Sequence, residues 1–476
     1  MKKKVLLASF LVVTFALGTT YLISSTNFAF LLYALPVAIA VLLLLFYRLD
    51  IFFMLTALLV PLSISIENFD MNVSLFVPTE PMLFAMLLLL FFRIFESRPF
   101  STFFFKEPFF FLIFFYFAWM LITSITSQIP IVSLKFFLAH LWLVLPPLVV
   151  GFMFFYEKPA WQDKFIYLYA IPLAIVVIYT TINHAGWNFD KKAGEWVMQP
   201  FYKDHTIYGA ATALAMPPLL LRIFSKKYSL VSRTLTALLF LIIFLGLLLS
   251  YSRGGWLGFF VAITVGIIVY FRIPFKYLFL MGLGAILLII IFQQKVFDML
   301  YKNKQDSSKN FVENIQSISN IRTDASNLER INRWSCAIRM AKDYPIFGTG
   351  PGTYQFLYGP YQLSYQKTII STNTGKLGNA HSEYLGSLAE QGIMGMIIFI
   401  TLVTYVFYSG FKLYSKLRIA NPHKANLLLG ILLALVSYFV HAFINNFLDT
   451  DKISFFIYSF IAIILAMKHQ FEENRA

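Results

Sequence analysis

Residues 234–271 read TLTALLFLIIFLGLLLSYSRGGWLGFFVAITVGIIVYF. Two apolar stretches, 234–251 and 256–271, flank a short polar elbow, Ser250-Tyr251-Ser252-Arg253-Gly254-Gly255. A helix that crosses hydrocarbon needs about 20 mostly apolar residues, and each stretch approaches that length. Similar runs recur at 5–23, 28–47, 109–123, 136–155, 165–183 and 206–221 before the elbow, and at 275–292, 388–411, 425–443 and 453–468 after it. Two weaker segments, 49–61 and 80–92, would need help from their flanks to span. Lipid tolerates no unpaired backbone, and the short alternating strands of a closed barrel are missing from the pattern. The reading is an all-α polytopic membrane protein with 12–14 transmembrane helices.

Composition agrees. Of 476 residues, 59% are hydrophobic and 13% charged, with a mean hydropathy of +0.72. That is about half the roughly 25% charge of soluble domains. A single cysteine, Cys336, excludes an intrachain disulfide framework and a multi-cysteine zinc site.

The net charge of +15 is a topology signal. On one set of alternate loops, including both termini, stand 21 Lys and Arg; the opposite short loops carry six, and 11 fall within 293–386. Cytoplasmic loops collect such residues. Both termini are therefore expected in the cytoplasm, with 293–386 facing outward, in the periplasm of a bacterial-type envelope, and no nucleic-acid partner. The opening Met-Lys-Lys-Lys and apolar run also resemble a signal peptide. The run 5–23 is longer than a usual signal core and no clear A-x-A site follows, so a retained first helix is expected.

Three units are expected: a bundle over 1–292, an external loop over 293–386, and closing helices over 387–476. Long loops in compact architectures tend to be functional. Within this one, Ser326-Asn327-Leu328-Glu329 has the form of a capping box, so a helix should run from there to Pro345. Arg330, Arg333 and Trp334 share one face of it, while Ile331, Ile338 and Ala341 offer apolar contact with the bundle. Two readings stand: a helix lying on the bilayer with its arginines at lipid phosphates, or an arginine making bidentate bonds to a substrate phosphate.

Gly348-Thr349-Gly350-Pro351-Gly352 is a sharp turn without the Gly-Lys-Ser/Thr of a nucleotide loop. It either folds the loop back or approaches a ligand. Asn379-Ala380-His381-Ser382-Glu383 leads straight into the run at 388, placing His381 at the mouth of the bundle, with Glu383 as a neighbour able to raise its proton affinity. Arg253 stands at membrane depth against the charge bias and needs a partner. His205, beside Tyr202, Lys203 and Asp204, shares that position, and Asp449 and Asp451 are weaker candidates, expected in solvent.

These motifs together resemble the O-antigen ligase and polymerase superfamily. The resemblance rests on SYSRGGWLG, on Glu329-Arg330 followed after three residues by WSCAIRMAKDYPIFGTGPGTY, and on NAHSEYLGSLAEQGIMG, in that order over roughly 200–411. It implies a multi-helix, GT-C-like glycosyltransferase that takes a glycan from undecaprenyl pyrophosphate and passes it to an acceptor such as lipid A core in the periplasm. It implies an inverting, metal-independent reaction without nucleotide sugar, ATP or other cofactor. Arg253 and Arg330 would hold the donor pyrophosphate, and His381 would take the acceptor proton or orient the sugar. Arg333 has no firm counterpart and enters as support, with Trp334, Gly350, Glu383 and His205 completing the candidate substrate-binding set. A repeat-unit polymerase and a protein O-oligosaccharyltransferase belong to the same superfamily. A lipid-linked-glycan transporter is the rival of another class, but it predicts charges near the midplane on discontinuous helices.

Overall fold

The computed structural model describes residues 39–41, 43–68, 73–95, 107–273, 325–367, 371–372 and 378–474. Among them, nine helices are long and apolar enough to cross a membrane. The expected spans 5–23 and 275–292, and most of 28–47, lie outside the described residues. The chain is a polytopic membrane protein of helices, with one departure. The segment 49–61 forms α1 (Leu49–Leu59) and a short 3-10 turn, Val60–Leu62, which lead into an antiparallel hairpin of β1 (Ile64–Asn68) and β2 (Val73–Val77). Next come α2 (Thr79–Phe95), α3 (Pro108–Ile125), α4 (Pro130–Glu157) and α5 (Ala160–Ala185). Pro146 and Pro147 remove two backbone donors inside α4, and the helix absorbs them as a π-turn over Pro146–Val150.

The remaining elements build the candidate site. They are α6 (His205–Phe224), α7 (Leu230–Leu249), α8 (Arg253–Tyr270), α9 (Ala325–Asp343), α10 (Glu383–Ala420), α11 (Pro422–His441) and α12 (Asp451–Glu473). Helix α11 is the central post, packed against α6, α8 and α10. Small residues carry the close approaches, including the run Gly209-Ala210-Ala211 on α6 and Gly254, Gly255 and Gly258 on α8, all buried. Lipid gives no hydrophobic drive for helices to associate, so van der Waals contact between small-residue faces does much of the holding.

Charged side chains tie the Leu49–Leu62 segment at both of its ends, fully buried at one and partly exposed at the other. Lys452 and Asp451 at the start of α12 are fully buried, against the expectation that Asp451 is solvated; Asp449 is exposed as expected. Lys452 Nζ donates to the carbonyls of Val60 (2.7 Å) and Ser63 (2.6 Å), and Asp451 accepts from the hydroxyls of Ser63 (3.0 Å) and Thr79. These bonds take up the free carbonyls at the end of the Leu49–Leu62 segment. At its other end, Lys158, between α4 and α5, donates to Asp50 at 2.5 Å. This short segment therefore connects opposite ends of the bundle, with two lysine side chains supplying the missing length.

Candidate functional site

One end of the bundle gathers the starts of α6, α8, α10 and α12 and the end of α11. Helix α6 is capped by Asp204, whose carboxylate accepts from the backbone of Thr206 (2.7 Å) and Ile207 (3.1 Å). Helix α8 is capped by the Ser252 hydroxyl, which accepts from Gly255 N at 3.3 Å. His205 and Arg253 are thus the first residues of two neighbouring helices. The starts interlock: a Cβ placed on Gly209 would fall 2.4 Å from Ser252 Cβ. Free N–H groups and the helix dipole make such a pair of N-termini electropositive. Arg253 and Arg330 both lie within electrostatic reach of the His205 ring.

Arg330 comes from α9, which corrects three expectations. The described helix already includes Ala325, so Ser326 lies inside it rather than at its cap. The Glu329 carboxylate accepts from Arg333 Nε at 2.6 Å and from the Ser371 hydroxyl. The two arginines are not both free for lipid phosphates, since Arg333 is turned into the protein. Its inner face, Cys336, Ala337 and Met340, packs on Tyr354, Tyr358, Ala380 and Ala389, while Ile338, expected to face the bundle, is exposed. A helix poor in apolar residues can still dock because polar pairs are satisfied inside the interface. Arg333 is one of these: 4% exposed, ion-paired, with its guanidinium 4.1 Å from the Tyr358 ring centroid.

Arg330 points elsewhere. It is half-buried, and its Nε donates to the carbonyl of Ile444 at 3.2 Å. Trp334 Nε1 donates to the carbonyl of His381 at 3.1 Å, so this side chain is a strut between α9 and the histidine. His381 itself has φ +47°, a left-handed conformation uncommon outside glycine, and its N–H is held by Asn379 Oδ1 at 3.1 Å. Burial, then the charges of Arg330 and Arg333, push the His381 imidazole down to about 4, against a smaller upward pull from an Asn445 hydrogen bond.

The turn after α11 joins all three motifs. Ile444 receives Arg330, the Asn445 side chain is near enough to the His381 ring to influence its proton affinity, and Asn445 Nδ2 lies 2.8 Å from His441 Nε2. His441 in turn packs on the Arg253 elbow, where a Cβ on Gly254 would meet His441 Nε2 at 2.7 Å. His441 and Asn445 were not singled out from the sequence. Their signal is weak: HAFINN reads as an ordinary helix end, and only the i, i+4 spacing of two polar groups hints at a pair.

Glu383 serves this turn too. Its Oε1 accepts from the N–H groups of Phe447 (2.8 Å) and Leu448 (2.9 Å) and from the Tyr438 hydroxyl (2.8 Å). It is not among the groups that set the His381 proton affinity. Gly350 is buried, with φ +110°, and a Cβ there would fall 2.0 Å from Ser127 Oγ. The turn is pinned from both sides: Gly350 N donates to the carbonyl of Glu390 (2.8 Å), and the carbonyl of Thr349 accepts from Gln128 N (3.0 Å). Folding the loop back is what these bonds accomplish.

Among the described residues, no group of three or more His, Cys, Asp and Glu side chains is arranged to hold a metal ion. The polar groups at this end include arginine, imidazole, amide and helix N-termini, beside carboxylates that are held by caps, turns and hydroxyls. The fold and site define a polytopic membrane protein with a cation-rich polar centre at one end of its bundle. Residues 238–400 match the family model described as O-Antigen ligase, a span that includes Arg253, Arg330 and His381. Over that span, about a third of its length, the chain is similar to the O-antigen ligase family. A Haemophilus influenzae protein described only as an uncharacterized protein is 27% identical over 165 residues, 34% of this chain and 39% of that relative. The match thus spans about two fifths of the relative's length.

Proposed function

We propose that this protein transfers a glycan from undecaprenyl pyrophosphate to an acceptor, most simply lipid A core, at the periplasmic face of a bacterial inner membrane. The observation that carries the reading is the gathering of Arg253, Arg330 and His381 around the turn 441–445, at the end of the bundle where four helices begin. Arg253 and Arg330, with the N-termini of α6 and α8, would take the two phosphates. Charge grows on the pyrophosphate as it leaves, so fixed cations there favour the transition state over the ground state. The acceptor oxygen bonds to the anomeric carbon as the bond to the pyrophosphate oxygen breaks, and the electron pair leaves with the carrier. The acceptor proton goes to the free ring nitrogen of His381.

Asn445 would set which nitrogen is free. Its Nδ2 donates to His441, so its carbonyl is left to accept the other His381 N–H, as an orienting amide does for a general base. Arg333, Trp334, Glu383 and Gly350 would act as positioning residues, through the loop and the turn rather than on the substrate. Candidate groups sit at one end of the bundle rather than at mid-depth, which favours a transferase over a transporter.

The deciding experiment deletes the gene and follows the glycan. Long polymer left on the carrier, with lipid A core lacking it, is the expected result. Single repeat units on the carrier would assign polymerase activity instead, and unchanged capping would reject the transferase reading.

The pH profile tests the base. An imidazole near 4 stays neutral, and able to accept a proton, until the pH falls through about 4. The acid limb of kcat/KM should therefore lie near that value, well below the 6.5 of an ordinary histidine. Asn445→Asp places a carboxylate beside the ring, favours the imidazolium and should move the limb upward.

A further inference from the structure

The external loop does not stay outside. We infer that the segment Tyr344–Phe347 inserts into the outer leaflet as a small apolar wedge, and that the occupant of its exposed face is lipid acyl chain. This inference concerns anchoring and stands whether or not the transfer reaction is correctly assigned.

Depth is set by Trp119. It lies six residues before the outer end of α3 at Ile125, which is about 9 Å along the helix. Phe347 stacks on this indole, with ring centroids 5.6 Å apart and planes 14° from parallel. The same indole N–H donates to the carbonyl of Gln391 at 2.9 Å. Gln391 precedes Gly392, whose φ of +69° interrupts α10. Loop, kink and mid-span tryptophan therefore share one level below the surface.

The loop also repairs the helix it interrupts. At a break in lipid, freed backbone groups must find partners within the protein. Pro345 supplies one, its carbonyl accepting from Ile393 N at 2.9 Å, and the carbonyl of Ile346 lies so close to Gly392 that a Cβ there would fall 2.0 Å from it. No side chain fits at that position, which is why the break falls on glycine. A segment merely resting on the surface would have no reason to carry the hydrogen bonding of a membrane helix.

What the wedge presents outward is apolar. Ile346 is 55% exposed and Phe347 42%. Ile122, Ile393 and Met394 on the two spans it touches are exposed as well, as lipid-facing side chains of a span would be. Tyr344, partly exposed at its entry beside exposed Lys342 and Asp343, stands where an aromatic anchor at the headgroup level belongs.

The single cysteine makes this directly measurable. Cys336→Ser provides a cysteine-free background, into which Ile346→Cys, Phe347→Cys and a control at exposed Ser364 (Ser364→Cys) are introduced one at a time. Each is reconstituted in vesicles of phosphatidylethanolamine and phosphatidylglycerol. A membrane-impermeant maleimide should label positions 346 and 347 about tenfold more slowly than 364, as burial at the acyl boundary requires, and all three equally after denaturation. A bimane at 346 or 347 should be quenched by lipid carrying a nitroxide at carbon 5 more strongly than by aqueous iodide. Labelling at the control rate would overturn the inference. So would slow labelling without lipid quenching, since that means protein covers the face.

Discussion

Arg253→Ala and Arg330→Ala are each expected to lower glycan transfer by about 10²–10³-fold, the usual cost of removing one fixed donor from a site where negative charge develops. Arg330 also donates to the carbonyl of Ile444, so its alanine variant carries a structural component that the thermal midpoint reports separately. Lysine should restore only part of the activity at either position. A guanidinium can hold a backbone carbonyl and a phosphate at once in a fixed plane, whereas an ammonium supplies a point charge on a flexible stem. The double variant should lose little more than the worse single one, because the two cations act on one leaving group. Transfer within threefold of wild type in both single variants would remove these arginines from the site.

The second large effect is on stability. Glu329→Ala leaves the Arg333 guanidinium buried without its carboxylate, and breaking such a pair from one side costs about 3–5 kcal/mol. Both partners are nearly inaccessible, at 4% and 6%, so solvent cannot replace the lost partner. The expected outcome is a lower thermal midpoint and protease-sensitive 325–367 in an otherwise intact bundle. Glu329→Leu with Arg333→Met should recover most of the loss, since an apolar pair of similar size needs no compensation. If Glu329→Ala unfolds with the wild-type midpoint, the pair is not what docks the loop.

How far the sequence carries can be judged from individual residues. Runs of 15 to 24 apolar residues read directly as spans, because the solvent on their lipid side is uniform and only length and hydropathy matter. Arg253, Arg330 and His381 were legible as polar groups where apolar runs begin or in the external loop. Their linkage was not, because it runs through Ile444 O, a backbone atom that any residue supplies. Asn445 and His441 escaped for a related reason: an amide near a helix end has many ordinary uses, and only the fold selects this one.

The errors have physical causes too. Ser326-x-x-Glu329 fits a capping box, but the same glutamate four residues before Arg333 fits an i, i+4 ion pair, and burial decided for the pair. Asp451 looked solvated because a carboxylate in a short loop usually is. Instead, hydroxyls of Ser63 and Thr79, nearly four hundred residues away, supply its hydrogen bonds. The hairpin 64–77 breaks an otherwise helical pattern and could not be told from a loop.

The turn 441–445 lies beyond the residues 238–400 that match the family model, as does the His205 end of α6 before them. Sequence likeness and the proposed constellation therefore have different borders. A chimera that exchanged only the matched block between two relatives would bring in foreign arginines and a foreign histidine, yet seat them on the host's carbonyl at 444 and amide at 445. Swapping 205–449 as one piece keeps guest and seat together, and is the natural unit for grafting acceptor or sugar preference from one member to another.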